Sequence, residues 1–267
     1  MKINLKLAML SLLLLPLMPL QADDRLDAVV ADPARPDAEK QRDPYRNPTE
    51  TLTFFGIAPD MTVVEIAPGT GWYTEILGPY LAEQGKLIGA QTDLESEHTP
   101  DFYHDIVAAY MDRIADTERF GDIEVIPFDP PRKTRLGEPG SADMVVTFRN
   151  AHGWERAGVF GEVLTAAHEV LKRGGVLGIV QHRLPEDADD SEYTGYVKQS
   201  KVVAMAESHG FRLVESSEIN ANPADTADHP QGVWSLPPSL RQVPEEEQDS
   251  YREIGESDRM TLKFVKR

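Results

Sequence analysis

The sequence predicts an α/β fold: a seven-stranded, mostly parallel sheet with helices on both faces and an antiparallel strand pair at the C-terminus. Three observations predict it. Short β-branched runs alternate with helical patterns over most of the chain, which implies parallel strands joined by crossover helices. The first run opens into a glycine loop that leads a helix, the join through which such sheets approach their ligands. The last two strand runs have no helix pattern between them, so they pair with each other in opposite directions.

The elements follow in order. Lys2 and Lys6 precede an apolar run from Leu7 to Leu20, then Gln21-Ala22 and two acids. This is the three-part pattern of a signal peptide over residues 1–22, and it predicts export to a periplasm. The run is shorter than the about 20 residues that a membrane span needs, so no stable span is expected after cleavage; an uncleaved anchor is the alternative. Residues 23–47, rich in Asp, Arg, Ala and Pro, read as an extended, exposed N-terminal arm. A helix is expected over 48–55, with Asn47 as N-cap, Pro48 at the first helical position and Gly56 as the stop. Strands are expected over 61–66 (MTVVEI), 86–91 (KLIGAQ), 123–128 (IEVIPF), 142–148 (ADMVVTF), 176–181 (VLGIVQ), 211–219 and 259–265. Helical spacing falls on 72–81, on 101–115, on a stripe from Val159 to Val170 stopped by Gly174, and on 196–209. One domain thus spans 48–267. Residues 221–257, with five prolines and many acids, read as a long surface loop, functional or disordered.

Composition narrows the function. A chain without cysteine holds no disulfide, thiolate metal site or cysteine nucleophile. A net charge of −18 opposes nucleic-acid binding, and no basic stripe offsets it. Neither a Gly-x-Ser-x-Gly elbow nor a P-loop is present. His98, Asp101, His104 and Asp105 lie at helical spacing; a solvated helix face explains them better than a metal site, so no metal is expected.

The strongest motif is Val63-Val64-Glu65-Ile66-Ala67-Pro68-Gly69-Thr70-Gly71-Trp72-Tyr73. It resembles motif I of the class I, Rossmann-like S-adenosylmethionine methyltransferases, an acid followed by a glycine loop. Ser141 to Val146 resembles their fourth-strand motif, and Val170-Leu171-Lys172-Arg173-Gly174-Gly175-Val176-Leu177 their turn into strand five. The likeness covers about residues 48–267. More narrowly, Tyr45 to Leu52 with Gly71-Trp72-Tyr73 resembles a group of exported, predicted bacterial methyltransferases.

The resemblance implies a seven-stranded Rossmann-like sheet, S-adenosylmethionine as cofactor and methyl transfer to a small-molecule acceptor. Glu65, Gly69 and Gly71 match residues lining the methionine part of the donor; Ala67 and Pro68 depart from the commoner Gly-x pattern. Gln91 stands where the family has a ribose-binding acid, with Asp93 two residues later. Gln brings no charge but can bond one hydroxyl. Asp129 matches the adenine-contacting acid, or it is a turn residue before Pro130-Pro131. Arg149, also expected at the cofactor, opens the loop after strand four, which the resemblance turns toward the transferred methyl. His152 in that loop and His182 after strand five are the candidate catalytic bases; passive hydrogen bonding is the alternative. Trp72, Tyr73 and Trp154 wall the site or fill the core. The rival reading is a periplasmic small-molecule binding protein on the same fold, without transfer activity.

Overall fold

The structure, a computed structural model, describes residues 24–267; the expected signal peptide lies outside them. Helices α1 (Asp24–Val30), α2 (Asp37–Lys40), α3 (Asp43–Arg46) and α4 (Pro48–Phe55) precede the sheet. Then come β1 (Thr62–Ile66), α5 (Thr74–Leu81), β2 (Lys86–Thr92), α6 (Phe102–Ile114), α7 (Thr117–Phe120), β3 (Glu124–Phe128) and β4 (Ala142–Phe148). The second half adds α8 (Ala151–Arg156), α9 (Phe160–Val170), β5 (Leu171–Leu184), β6 (Val197–Lys198), α10 (Gln199–Ser208), β7 (Phe211–Ser217), α11 (Gln248–Ile254) and β8 (Arg259–Lys266).

The eight strands form one mixed sheet in the order β3-β2-β1-β4-β5-β8-β7, with β6 beside β5. All pairings are parallel except those of β8, which runs antiparallel to both β5 and β7. The expected fold class therefore holds, C-terminal antiparallel pair included. The order reverses between β1 and β4, the position where open α/β sheets leave a crevice at their carboxyl ends.

Side-chain alternation divides the core into two layers. Val64 of β1, Ile88 of β2 and Val145 of β4 face α9 and α10. Their neighbours Val63, Leu87, Met144 and Val146 face α1, α4 and α5, where Leu26, Leu52, Phe55, Ile76 and Tyr80 are fully buried. Helix α4 lies close to the sheet because Gly178 of β5 lacks a side chain: a Cβ there would come within 2.7 Å of the Phe55 ring.

Four features differ from expectation. The arm is not extended: it forms three short helices, and although much of it is exposed it buries Leu26, Arg35 and Arg46. Its arginines are inside because they are paired. The Arg35 guanidinium donates to both oxygens of Asp43 at 2.8 and 2.9 Å, and Arg46 Nε donates to Glu256 at 3.2 Å. Asn47 precedes α4 but does not cap it; its backbone is left-handed (φ 39°), and its amide instead donates to the Ile219 carbonyl at 2.7 Å. Helix α9 stops at Val170, four residues before Gly174, because Leu171 pairs with Ala142 and enters β5. The first residues of the expected 196–209 helix form β6, the eighth strand. Among the described residues, no helix is long and apolar enough to cross a membrane.

Phe55→Ala should cost about 3–5 kcal/mol, the price of emptying a buried aromatic site. Urea unfolding measures it; a loss below about 1 kcal/mol would mean that α4 does not pack on the sheet as described.

Candidate active site

The site is built at the carboxyl ends of β1, β2, β4 and β5. Two cavities meet there. An inner one of about 290 Å³ lies over β1, β4 and β5, and an outer one of about 600 Å³ extends toward β2 and β3. Ala67, Gly69, Arg149, Asn150 and His152 line both, so they form the junction.

After β1 the chain turns sharply. Ala67 (φ 52°) and Gly69 (φ 62°) are both left-handed. The departure from glycine at Ala67 therefore leaves the turn intact, at the strain a non-glycine residue bears there. Asn150 supports it: its amide donates to the Ala67 carbonyl at 3.1 Å and to Thr147 Oγ1 at 3.0 Å. A Cβ at Gly69 would meet nothing within 4 Å, so that space is open to a ligand. Gly71 behaves otherwise. It is buried and lines neither cavity, and a Cβ there would strike Arg113 and Tyr110 of α6 at 2.9 and 3.1 Å. Expected at the cofactor, it lies outside both cavities here, and its bareness makes room for α6.

Glu65 is fully enclosed at the base of the inner cavity, where its carboxyl accepts from Thr74 Oγ1 at 2.5 Å. Burial pushes it up to about 7, against the opposing pull of Thr74 and Arg113.

Gln91 lines the outer cavity, but its amide is engaged. Nε2 donates to the Gly69 carbonyl at 2.8 Å, and Oε1 accepts from the Thr92 N–H at 2.9 Å. Gln91 thus braces the glycine turn from the end of β2. Asp93 is bound by Lys133 at 2.6 Å. Asp129 lines the outer cavity with a carboxylate gripped by Arg132 at 2.7 and 2.9 Å, which holds it below the usual carboxylate range. Trp154 lines the same cavity, edge-on to Phe128. Trp72 and Tyr73 line the inner one, and Tyr73 stacks on Phe148 with centroids 3.4 Å apart.

His152 and His182 do share a rim, with ring centroids 5.7 Å apart. Neither is poised as a base. Gln181 Nε2 lies 3.2 Å from His152 Nδ1 and donates to the Gly195 carbonyl at 3.2 Å. A carbonyl only accepts, so Gly195 orients the amide, and Gln181 donates to Nδ1. Neutral His152 then carries its proton on Nε2 and offers a donor. Burial, with Arg149 nearby, also lowers it to about 4. His182 Nδ1 is bound to Ser257 Oγ at 2.5 Å, and burial beside Arg259 keeps the ring well below its ordinary value. The structure thus favours the passive alternative for both rings.

The sequence reading missed Arg42, Glu256, Ser257 and Arg259, and it missed Val233, Trp234, Pro237 and Pro238, all of which line the inner cavity. The apolar four belong to the proline-rich 221–257 segment, whose length was the one signal that it could be functional. Glu256 also lies in that segment, but nothing local marked it, because Arg42 and Arg46 reach it from more than 200 positions away in the chain.

No family model matches the chain, and no curated protein does. Solved structures do. A S-adenosylmethionine-dependent methyltransferase from Aquifex aeolicus is 14% identical, covering 86% of this chain and 98% of that one, with a TM-score of 0.57. Another from Mesorhizobium loti is 12% identical, covering 81% and 96%, with a TM-score of 0.51. The cyclase SpnF is 13% identical, covering 83% and 80%, with a TM-score of 0.57. The chain has the fold of S-adenosylmethionine-dependent methyltransferases. That a cyclase is as similar shows how little the fold alone decides.

The His152 ring makes stability pH-dependent. Its folded value of about 4 lies below the unfolded value of about 6.5, so the unfolded state binds more protons between them. The contribution of the neutral ring is complete above about pH 6.5 and falls as pH drops toward 4. The stability of wild type relative to His152→Gln should fall by about 2 kcal/mol between pH 7.5 and 4.5 in urea unfolding. An equal difference at both pH values would show an imidazole titrating as if exposed.

Proposed function

We propose that this protein is an exported, periplasmic S-adenosylmethionine-dependent methyltransferase acting on a small-molecule acceptor. The observation that carries the reading is Glu65: an enclosed carboxyl lining the inner cavity beside the open Gly69 turn and bonded to Thr74, raised to about 7 by burial with Thr74 and Arg113 partly offsetting the shift. Such a group favours a cationic ligand, because a positive charge beside it restores its ionised form. The donor's ammonium and sulfonium are such charges.

The remaining residues fit a nucleoside in the outer cavity. Asp129 stays ionised there and can accept hydrogen bonds, and Phe128 and Trp154 offer aromatic surface. When bound, the donor supplies a methyl activated by its sulfonium. The chain supplies the rest. Asn150 and Gln91 hold the glycine turn in shape. His152 Nε2–H can donate to an acceptor at the junction. Val233, Trp234 and the two prolines cover the inner cavity and exclude water. With burial lowering both rings, positioning carries the transfer, which suits an acceptor that is already nucleophilic. Periplasmic location rests on residues 1–22. One observation favours the rival reading of a periplasmic binding protein: Gln91 is occupied within the chain and Asp93 just beyond β2 is bound by Lys133, so no free carboxylate there is left to grip a ribose.

Titrating residues 23–267 with S-adenosylmethionine by calorimetry tests the proposal. One-site binding at pH 7 should release about half a proton, because Glu65 begins about half protonated; two buffers of different ionisation enthalpy measure it. Glu65→Gln should abolish the release and weaken binding at least about tenfold. Gly69→Val should block the site, whereas Gly71→Val should lower stability through the clash with α6. Folded protein that binds no donor at millimolar concentration would sink the reading.

A further inference from the structure

The inner cavity holds more positive charge than its own chain neutralises. Arg42, Arg149 and Arg259 line it, and Arg46 stands behind its Trp72 wall, with the guanidinium carbon 4.5 Å from the ring centroid. One carboxylate answers them. Glu256 accepts from Arg42 Nε at 2.5 Å, from Arg46 Nε at 3.2 Å and from Arg259 Nη2. Arg259 is satisfied, since its other nitrogens donate to Ser257 Oγ and to the Tyr45 carbonyl. The others are not. Arg42 Nη2 and both Nη atoms of Arg46 are buried without a hydrogen-bond partner. The Arg149 side chain forms no hydrogen bond among the described residues. The other carboxyl lining the cavity, Glu65, is bonded to Thr74 Oγ1 and not to an arginine, and Asp258 is taken by Arg183 at 2.8 and 3.0 Å.

Resting on the methyl-transfer reading, we propose that the acceptor is an oxyanion, a phosphate monoester or a dicarboxylate, held by Arg149 and Arg42 in the inner cavity. Guanidinium groups match the geometry of both anions through paired N–H donors. An enclosed cation without a partner is costly, and a dianion removes most of that cost. The donor cannot do so. Its methionine end brings one carboxylate together with an ammonium and a sulfonium, so it adds positive charge rather than cancelling it. The cavity also suits an acceptor by position. It opens at Ala67, Gly69 and His152 onto the outer cavity, and its roof of Val233, Trp234 and Pro237 offers apolar surface to a carbon skeleton. An anion anchored on the arginines would direct the far end of its molecule to that junction.

The test uses inorganic phosphate as the probe, titrated into residues 23–267 at fixed ionic strength, alone and with saturating S-adenosylhomocysteine. Phosphate should bind one site, with an affinity that saturation with the homocysteine ligand changes less than about threefold. Arg149→Met and Arg42→Gln should each weaken phosphate at least about tenfold, and circular dichroism would verify that both fold. Arg149 is the charge the chain leaves unpaired, so its loss should not unfold the protein, whereas Arg42→Gln also removes a bond to Glu256 and should lower stability; Arg149→Lys should recover part of the phosphate affinity. Three results would overturn the proposal. Phosphate displaced by S-adenosylhomocysteine would make the arginines the seat of the donor's own carboxylate. No phosphate binding, with the homocysteine ligand still bound, would remove the anion site and leave the methyl-transfer reading standing. Phosphate binding without any binding of that ligand would make the cluster an anion site of another kind of protein.

Discussion

Glu256 holds the two ends of the domain together. It accepts from Arg42 and Arg46 near the N-terminus and from Arg259 at the start of β8. Burial alone would raise this carboxyl, but Arg259, Arg46, Arg42 and Arg149 together keep it down at about 2. It is therefore ionised at neutral pH, and losing it would leave three arginines around a void. Breaking a buried ion pair of this kind costs about 3–5 kcal/mol, because the remaining charge has no solvent to return to. The cluster also shapes the cavity. The Arg46 carbonyl accepts from the Tyr73 hydroxyl at 3.3 Å, and Tyr73 lies flat on Phe148 at the end of β4. One wall of the inner cavity is thus fixed by an ion pair between residues 210 positions apart.

The other walls follow from the sheet. Parallel strands deliver β1, β4 and β5 to the same edge, so their following loops must meet there. Thr147, the penultimate residue of β4, and Asn150 just beyond it both bond to the Ile66 carbonyl, at 3.3 Å each. The glycine turn is therefore held from one side by β4 and from the other by Gln91 of β2. Its shape is set before a ligand arrives, which lowers the ordering cost of binding. The roof is different. It comes from the long segment between β7 and β8, where Val233 N–H donates to the Thr194 carbonyl at 2.9 Å and Asp225 joins Tyr196 to His229.

What the sequence disclosed depended on the range of the interaction. Strands β1, β2, β4 and β5 were legible because each carries a run of apolar side chains buried on both faces, a local signal; β3, at the sheet edge, buries only Phe128 and was legible from its β-branched run. Helix α4 was legible because Pro48 and Gly56 mark its ends locally. The glycine turn was legible as a turn, but the roles of its two glycines differ only through α6, whose Tyr110 and Arg113 fill the space beside Gly71. The N-terminal segment was not legible. Arginines and acids ordinarily mark solvent, and Arg35 and Arg46 are inside only because Asp43 and Glu256 accompany them. The chemistry of His152 was hidden in the same way. A histidine after strand four reads as a base; its tautomer is decided by Gln181 and, through it, by the Gly195 carbonyl.

The charge of the whole chain and the charge of the cavity have opposite signs, and that contrast bears on how a ligand is chosen. A net charge of −18 repels anions at long range. In salt of about 0.15 M, however, that field is screened beyond about 8 Å, while charges inside a cavity are screened far less. An anion would therefore gain little steering from a distance and strong attraction once inside. Its encounter would be slow for its affinity, and selection would rest on dissociation rather than arrival. A cation faces the reverse: the acidic surface draws it in, and the arginines refuse it everywhere except beside Glu65. The proposed donor is a cation with one carboxylate, and Glu65 lines the inner cavity together with Gly69. On the proposed reading, the two charge patterns would sort a cationic donor and an anionic acceptor to adjoining places, with neither needing a histidine to tell them apart.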